Sequence, residues 1–196
     1  MSYFLTYVAV PKKEEKRYKE YIADVMSKYD ENVEVEEYCV KDITDEDKMK
    51  VINWYISDGA IDKSKTIDDF NEIYEEYGKD WNFNRWRFVD GAWKEYSTSN
   101  PNGKWDWYDI GGRWNNNLLT KNGNKVNVAN KNDVQLSSEI IPFAIIKDGE
   151  WIERGQMKWF ATVENEKKKE VWDEEFYKIW DTVPDNDLIV VLSCHT

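Results

Sequence analysis

Residues 188–194 read LIVVLSC, seven positions without a charge or a turn-former. A strand with one wet face alternates apolar and polar residues, so an unbroken apolar run of this length suits an interior strand. Residues 3–10, YFLTYVAV, read the same way and are stopped by Pro11. Working inward from each run, the periodicity changes. From Glu14 to Tyr29 the apolar positions are Tyr18, Ile22, Val25 and Tyr29, one face of a helix. Residues 33–40 alternate Val33, Val35, Tyr38 and Val40 with acids, which predicts a strand with one exposed face. At the other end, 156–163 reads as a strand. Residues 164–183 place Trp172, Phe176, Ile179 and Val183 on one helical face, and Pro184 follows.

Strand-helix-strand at each end predicts an α+β protein. The expected plan is a ferredoxin-like split βαβ sandwich, a four-stranded antiparallel sheet with two helices on one face. On this reading residues 1–196 form a single domain. Segments 1–40 and 141–196 are its two halves, and 41–140 is a large Trp-rich insertion of helices and hairpins. The second and fourth strands would be the sheet edges, too far apart for Cys39 and Cys194 to bridge. Within the insertion, Thr44 and Thr66 each precede an aspartate by three residues, a capping-box-like start. Met49, Ile52 and Ile56 continue the first helix. Phe70, Ile73, Tyr74 and Tyr77 continue the second, with Gly78 placed to end it. Asp90-Gly91, Asn122-Gly123 and Asp148-Gly149 each separate β-forming segments and predict three hairpins.

The 196-residue chain has a net charge of −12, 41% hydrophobic residues and eleven tryptophans. Such a chain can bury roughly 70% of its unfolded surface. The acid excess makes direct nucleic-acid binding an unexpected function, although an acidic protein can act as a charge mimic. From Trp81 to Trp114 the balance reverses, with five basic and four acidic residues, three of the five arginines and six of the tryptophans. Two cysteines make neither a disulfide framework nor a CxxC zinc site, and no leader-like or membrane-length apolar run occurs. The expectation is a cytoplasmic protein with no membrane association.

Residues 100–114, NPNGKWDWYDIGGRW, concentrate the chemistry. Gly111-Gly112 permits positive φ and close backbone approach, and successive N–H groups there can form an anion nest. Arg113 can clamp a phosphate or carboxylate. Trp105, Trp107, Tyr108 and Trp114 offer flat faces, Lys104 adds a cation, and Asp106 can accept from a ligand or from Arg113 itself. This set suits a nucleotide or sugar phosphate. It equally suits a packing turn with Asp106 and Arg113 as a buried pair. Neither a phosphate-binding P-loop nor a dinucleotide fingerprint is present, and no cofactor or metal is expected. His195 is the one histidine, which excludes HExxH and multi-histidine metal sites. It cannot pair directly with Cys194, because strand neighbours point to opposite faces.

The same stretch resembles a motif, roughly NPxxKWDWYxxGGRW, of an uncharacterised family of bacteriophage and bacterial proteins. Further likeness lies in Phe143–Ile146, in Asp148-Gly149-Glu150-Trp151, and in Gly155-Gln156-Met157-Lys158-Trp159. That family closes on a strand ending Asp-Cys-His, where this chain has Ser193-Cys194-His195. The resemblance implies one pocket shared by Trp105, Asp106, Tyr108, Gly111, Gly112, Arg113 and Trp159, with His195 nearby. It implies no established activity. The leading expectation is a non-catalytic accessory protein, in the host cell cytoplasm if phage-encoded, that binds a nucleotide-like or other anionic small ligand, as in counter-defence sequestration. The alternatives are an enzyme on a nucleotide or sugar phosphate, and an acidic inhibitor of a host defence protein. Oligomeric state is not legible.

Overall fold

The computed structural model describes residues 2–78, 85–137, 140–157 and 162–196. In chain order the strands and helices are β1 (Tyr3–Val10), α1 (Tyr18–Ser27), β2 (Glu34–Asp42), α2 (Asp45–Ser57), α3 (Phe70–Tyr77), β3 (Trp86–Val89), β4 (Ala92–Ser99) and β5 (Trp107–Ile110). There follow β6 (Leu118–Leu119), β7 (Lys125–Val126), β8 (Val128–Asn130), β9 (Ala144–Lys147), β10 (Glu150–Glu153), β11 (Gln156–Met157), β12 (Val163–Glu164), α4 (Lys169–Asp181) and β13 (Leu188–His195). The protein is α+β, with several sheets, and divides into two compact units. Unit 1 comprises residues 1–33 and 100–196, and unit 2 comprises 34–99.

Unit 1 is built on a six-stranded sheet in the order β10-β9-β1-β13-β5, with β8 sharing the outer edge of β13. β1 and β13 pair antiparallel over their whole length, from Tyr3↔His195 to Val10↔Leu188. β9 runs parallel to β1. Both faces of this central pair are buried. Phe4, Val8, Val10, Val190, Leu192 and Cys194 pack with Ile22, Val25 and Met26 of α1. Leu5, Tyr7, Ala9, Ile189 and Val191 pack with Trp172, Phe176 and Trp180 of α4.

The helices therefore lie on opposite faces of the sheet, where two on one face were expected. The apolar runs at both ends carry hydrophobes at odd and even positions, and each parity requires its own cover. β13 is interior, as its composition suggests, and not at an edge as the expected topology had it. Residues 34–42 do form the anticipated strand, but it pairs in unit 2. The segment 100–140 belongs to unit 1 and supplies β5 to β8. Only the ends of the strand expected at 156–163 are described, and β11 pairs antiparallel with β12.

Unit 2 is a three-stranded sheet, β2-β4-β3, with α2 and α3. Its core comprises Ile43, Val51, Ile52, Tyr55, Phe70, Ile73, Tyr74 and Trp86. Both capping boxes are present, Thr44 with Asp47 and Thr66 with Asp69. The Asp47 carboxyl accepts from Lys41 and from the Thr44 backbone, which holds its pKa down to about 2. Gly78 ends α3 in a right-handed conformation, φ −71°, not the left-handed one a C′ glycine adopts. The turns at Asp90-Gly91 and Asp148-Gly149 have both residues at positive φ, as two-residue hairpins demand.

Phe176 is fully buried against the sheet whereas Val171 on the same helix is 53% exposed. Replacing Phe176 by Ala is expected to destabilise the protein by about 3–5 kcal/mol, and Val171→Ala by under about 0.5 kcal/mol, in urea unfolding.

Candidate functional site

The segment 100–106 is tied to the turn that follows α1. Asn100 donates from Nδ2 to the carbonyls of Lys28 and Asp30, and the Lys104 and Glu31 amides bond to Tyr29 and Trp105 carbonyls. Beyond it, β5 joins the edge of β13, with Trp107 opposite His195 and Tyr108 opposite Cys194. Alternation along β5 then sends Trp107 and Tyr108 to opposite sides of the sheet.

Trp105 and Tyr108 go to the α1 side. Trp105 is 8% exposed, donates from Nε1 to the Met26 carbonyl and meets Tyr108 edge-on at 4.9 Å. Neither ring lines a pocket with Arg113; both belong to the α1-side core. Lys104 forms an ion pair with Glu153 at 2.6 Å. Trp114 packs half-buried against the α4-side core. Trp159, expected in the same pocket, lies outside the described residues.

The opposite face carries a different group. Tyr3, His195 and Trp107 sit side by side on β1, β13 and β5. Trp107 is 51% exposed. The Tyr3 ring lies 4.8 Å from the imidazole and 6.4 Å from Trp107. The Arg113 guanidinium lies over the same tyrosine ring, 3.8 Å from its centroid. Arg113 is exposed and makes no ion pair or hydrogen bond among the described residues. Asp106 does not pair with it. The Asp106 carboxylate meets His195 Nδ1 at 2.6 Å, and the Asp106 amide donates to the His195 carbonyl at 3.0 Å. A carboxylate at Nδ1 leaves the lone pair of the neutral ring on Nε2, which is buried and without a partner among the described residues. Asp106 thus supplies His195 with a carboxylate from within the motif, while position 193 is a serine. Cys194 faces the α1-side core, where burial pushes its thiol up to about 12, so it is no nucleophile beside His195.

Gly111 and Gly112 have φ of +78° and +49°. Their use is close approach. A Cβ on Gly111 would fall 2.6 Å from Asn127 Nδ2, and one on Gly112 would fall 2.5 Å from Ser193 Cβ. The Gly111 amide is committed to the Val191 carbonyl at 2.9 Å, so it is not available to an anion nest. The pair seats the short helical turn of Gly112–Trp114 on β13 and so delivers Arg113 to Tyr3.

Two participants escaped sequence reasoning. Tyr3 looks like one more core residue of an apolar run, and only the β1–β13 register puts it beside His195. Glu31 looks like part of a polar turn. Its carboxyl is pushed above the ordinary range by burial, reinforced by Asp106 and Asp30. Among the described residues no cluster of three or more metal-ligating side chains occurs, and no helix is long and apolar enough to cross a membrane. Compared with protein families, with curated proteins and with solved structures, the chain matches none.

Gly112→Ala is expected to cost about 1–2 kcal/mol of backbone strain and about 1–3 kcal/mol of overpacking against Ser193. Gly123→Ala, at φ +84° with nothing within 4 Å, should carry the backbone part alone. Paired urea melts separate the two. For Glu31, the folded state holds the proton more tightly than the unfolded chain. Its ionisation therefore costs stability above the raised value, and the cost vanishes below the ordinary value of 4.5. Glu31→Gln should raise the Tm at pH 7 and leave it unchanged well below pH 4.5, as calorimetry across pH would show.

Proposed function

We propose that the protein is a non-catalytic binding protein that holds a nucleotide-like or other anionic small ligand at Arg113, Tyr3 and Trp107. The observation that carries this reading is the state of Arg113. It lies over the Tyr3 ring in a chain with twelve surplus negative charges, yet no carboxylate among the described residues occupies its donor fork. A guanidinium stacked on an aromatic face is oriented while its N–H groups remain open to a phosphate or carboxylate. Trp107, half exposed on the same face, offers a surface for a base or sugar ring. The phage-type accessory setting, with sequestration of a nucleotide signal as counter-defence, rests on the sequence resemblance alone.

One observation favours a second reading. The Asp106–His195 contact at 2.6 Å is the orienting bond of a general acid–base histidine. An enzyme on a nucleotide or sugar phosphate would use Arg113 as the anion clamp and His195 as the proton carrier, with Asp106 positioning the ring. Its Nε2 is covered, so this role requires the imidazole to be uncovered when substrate binds.

Native mass spectrometry of protein purified from expressing cells, followed by denaturing release, tests both. A phosphate- or carboxylate-bearing mass that is released unchanged after hours with the protein is expected. The same mass returned altered would establish the enzyme. Arg113→Ala should lose the bound mass while keeping the wild-type melting curve; retention of the mass by that variant would remove the reading.

A further inference from the structure

Unit 2 holds 17 acidic and nine basic residues, a net of −8 out of the chain's −12. Its sheet also exposes an aromatic surface. Trp86 is buried under α2 and α3, while Phe88, two residues along the same face of β3, is 61% exposed. Phe88 pairs across to Trp93 on β4, with ring centroids 5.7 Å apart, and Trp93 meets Phe70 edge-on at 5.4 Å. The rings thus continue from the core out to the surface. Around them is a cleft of about 340 Å³ lined by Phe70, Phe88 and Trp93 together with Asp45, Lys48 and Asp68. Asp68 makes no ion pair or hydrogen bond among the described residues. The chain itself shows what this environment accepts. Lys48 places its ammonium 5.9 Å from the Phe70 centroid and bonds Asp45 at 2.9 Å.

We propose that this cleft docks an arginine side chain from a basic segment of a partner protein. With Asp45 matched by Lys48, the surplus charge of the cleft is the unpaired Asp68 carboxylate, which disfavours an anion. It also disfavours a purely apolar side chain, which would bury Asp68 without compensation. A guanidinium satisfies both groups at once: it stacks on Phe88 and presents a fork to Asp68. The net −8 of unit 2 steers a basic segment toward it. The proposal concerns a different site from the Arg113 face and stands independently of it.

The test uses a nine-residue arginine peptide with the full-length protein, affinity by calorimetry and the Trp93 indole N–H by NMR. One-to-one binding that shifts the Trp93 resonance is expected. Phe88→Ser leaves the charge unchanged and, because the ring is exposed, leaves the core intact; it should weaken binding about tenfold with an unaltered melting curve. Asp68→Asn should weaken binding and reduce its salt dependence. The double variant Glu34→Gln, Glu36→Gln removes two charges from β2 and should weaken binding by less than about threefold. Wild-type affinity in Phe88→Ser, or equal weakening by the β2 variant, would mean diffuse attraction and overturn the proposal. A protein dimer in sedimentation equilibrium that dissociates in Phe88→Ser would assign the cleft to a second copy and overturn it equally.

Discussion

The antiparallel pairing of β1 with β13 is the constraint on which unit 1 depends. Eight residue pairs in continuous register join the two most apolar segments of the chain. Because hydrophobes occupy both parities, the pair is stable only when both faces are covered, by α1 on one side and α4 on the other. A one-residue slip would exchange the two faces and place Thr6 and Ser193 among the wrong neighbours. The same register fixes Tyr3 against His195, and β5 adds Trp107 in line. The candidate site is thus a direct consequence of core pairing. Tyr3, Trp107 and His195 are strand residues, Asp106 comes from the bend before β5, and Arg113 reaches in from a turn.

Much of the local structure was legible, because it is set by short-range chemistry. The Asp-Gly turns fix φ at two residues, and the threonine-aspartate capping boxes satisfy amides three residues away. Both signals lie within four residues of sequence. The helical stripes at Ile22, Val25 and at Trp172, Phe176 were equally readable from spacing. What was not legible is which strand pairs with which. Residues 34–42 alternate as a half-exposed strand does, but nothing in the alternation says that the partner is β4. Likewise β9 reached β1 in parallel, a pairing that the hairpin signal at Asp148-Gly149 does not encode.

The motif at 100–114 shows the same division at the scale of a site. Its composition suited a ligand site and a packing turn equally, and the expected pocket placed Trp105 and Tyr108 together with Arg113. Within β5 the successive residues Trp107 and Tyr108 face opposite sides, so Tyr108 entered the α1-side core while Trp107 stayed out. Trp105 precedes the strand and reaches that core through its bonds to the turn after α1 and to the Met26 carbonyl. Gly111-Gly112 was legible as a special turn, but its purpose, close packing on Asn127 and Ser193, depends on partners distant in sequence.

One pairing links the whole site. In a chain with 39 acidic and 27 basic residues, an arginine would ordinarily find a carboxylate, and Asp106 stands seven residues away in the same motif. That carboxylate is held at His195 by a 2.6 Å contact, and the Asp106 amide is anchored to the carbonyl of the same residue. Two bonds to one strand residue fix where the carboxylate can point. Tyr3 then gives Arg113 an alternative support, an aromatic face that orients the guanidinium without filling its donor fork. The carboxylate and the guanidinium of the motif are therefore held on two different partners, Asp106 on His195 and Arg113 on the Tyr3 ring, and β1–β13 pairing puts those two partners opposite each other.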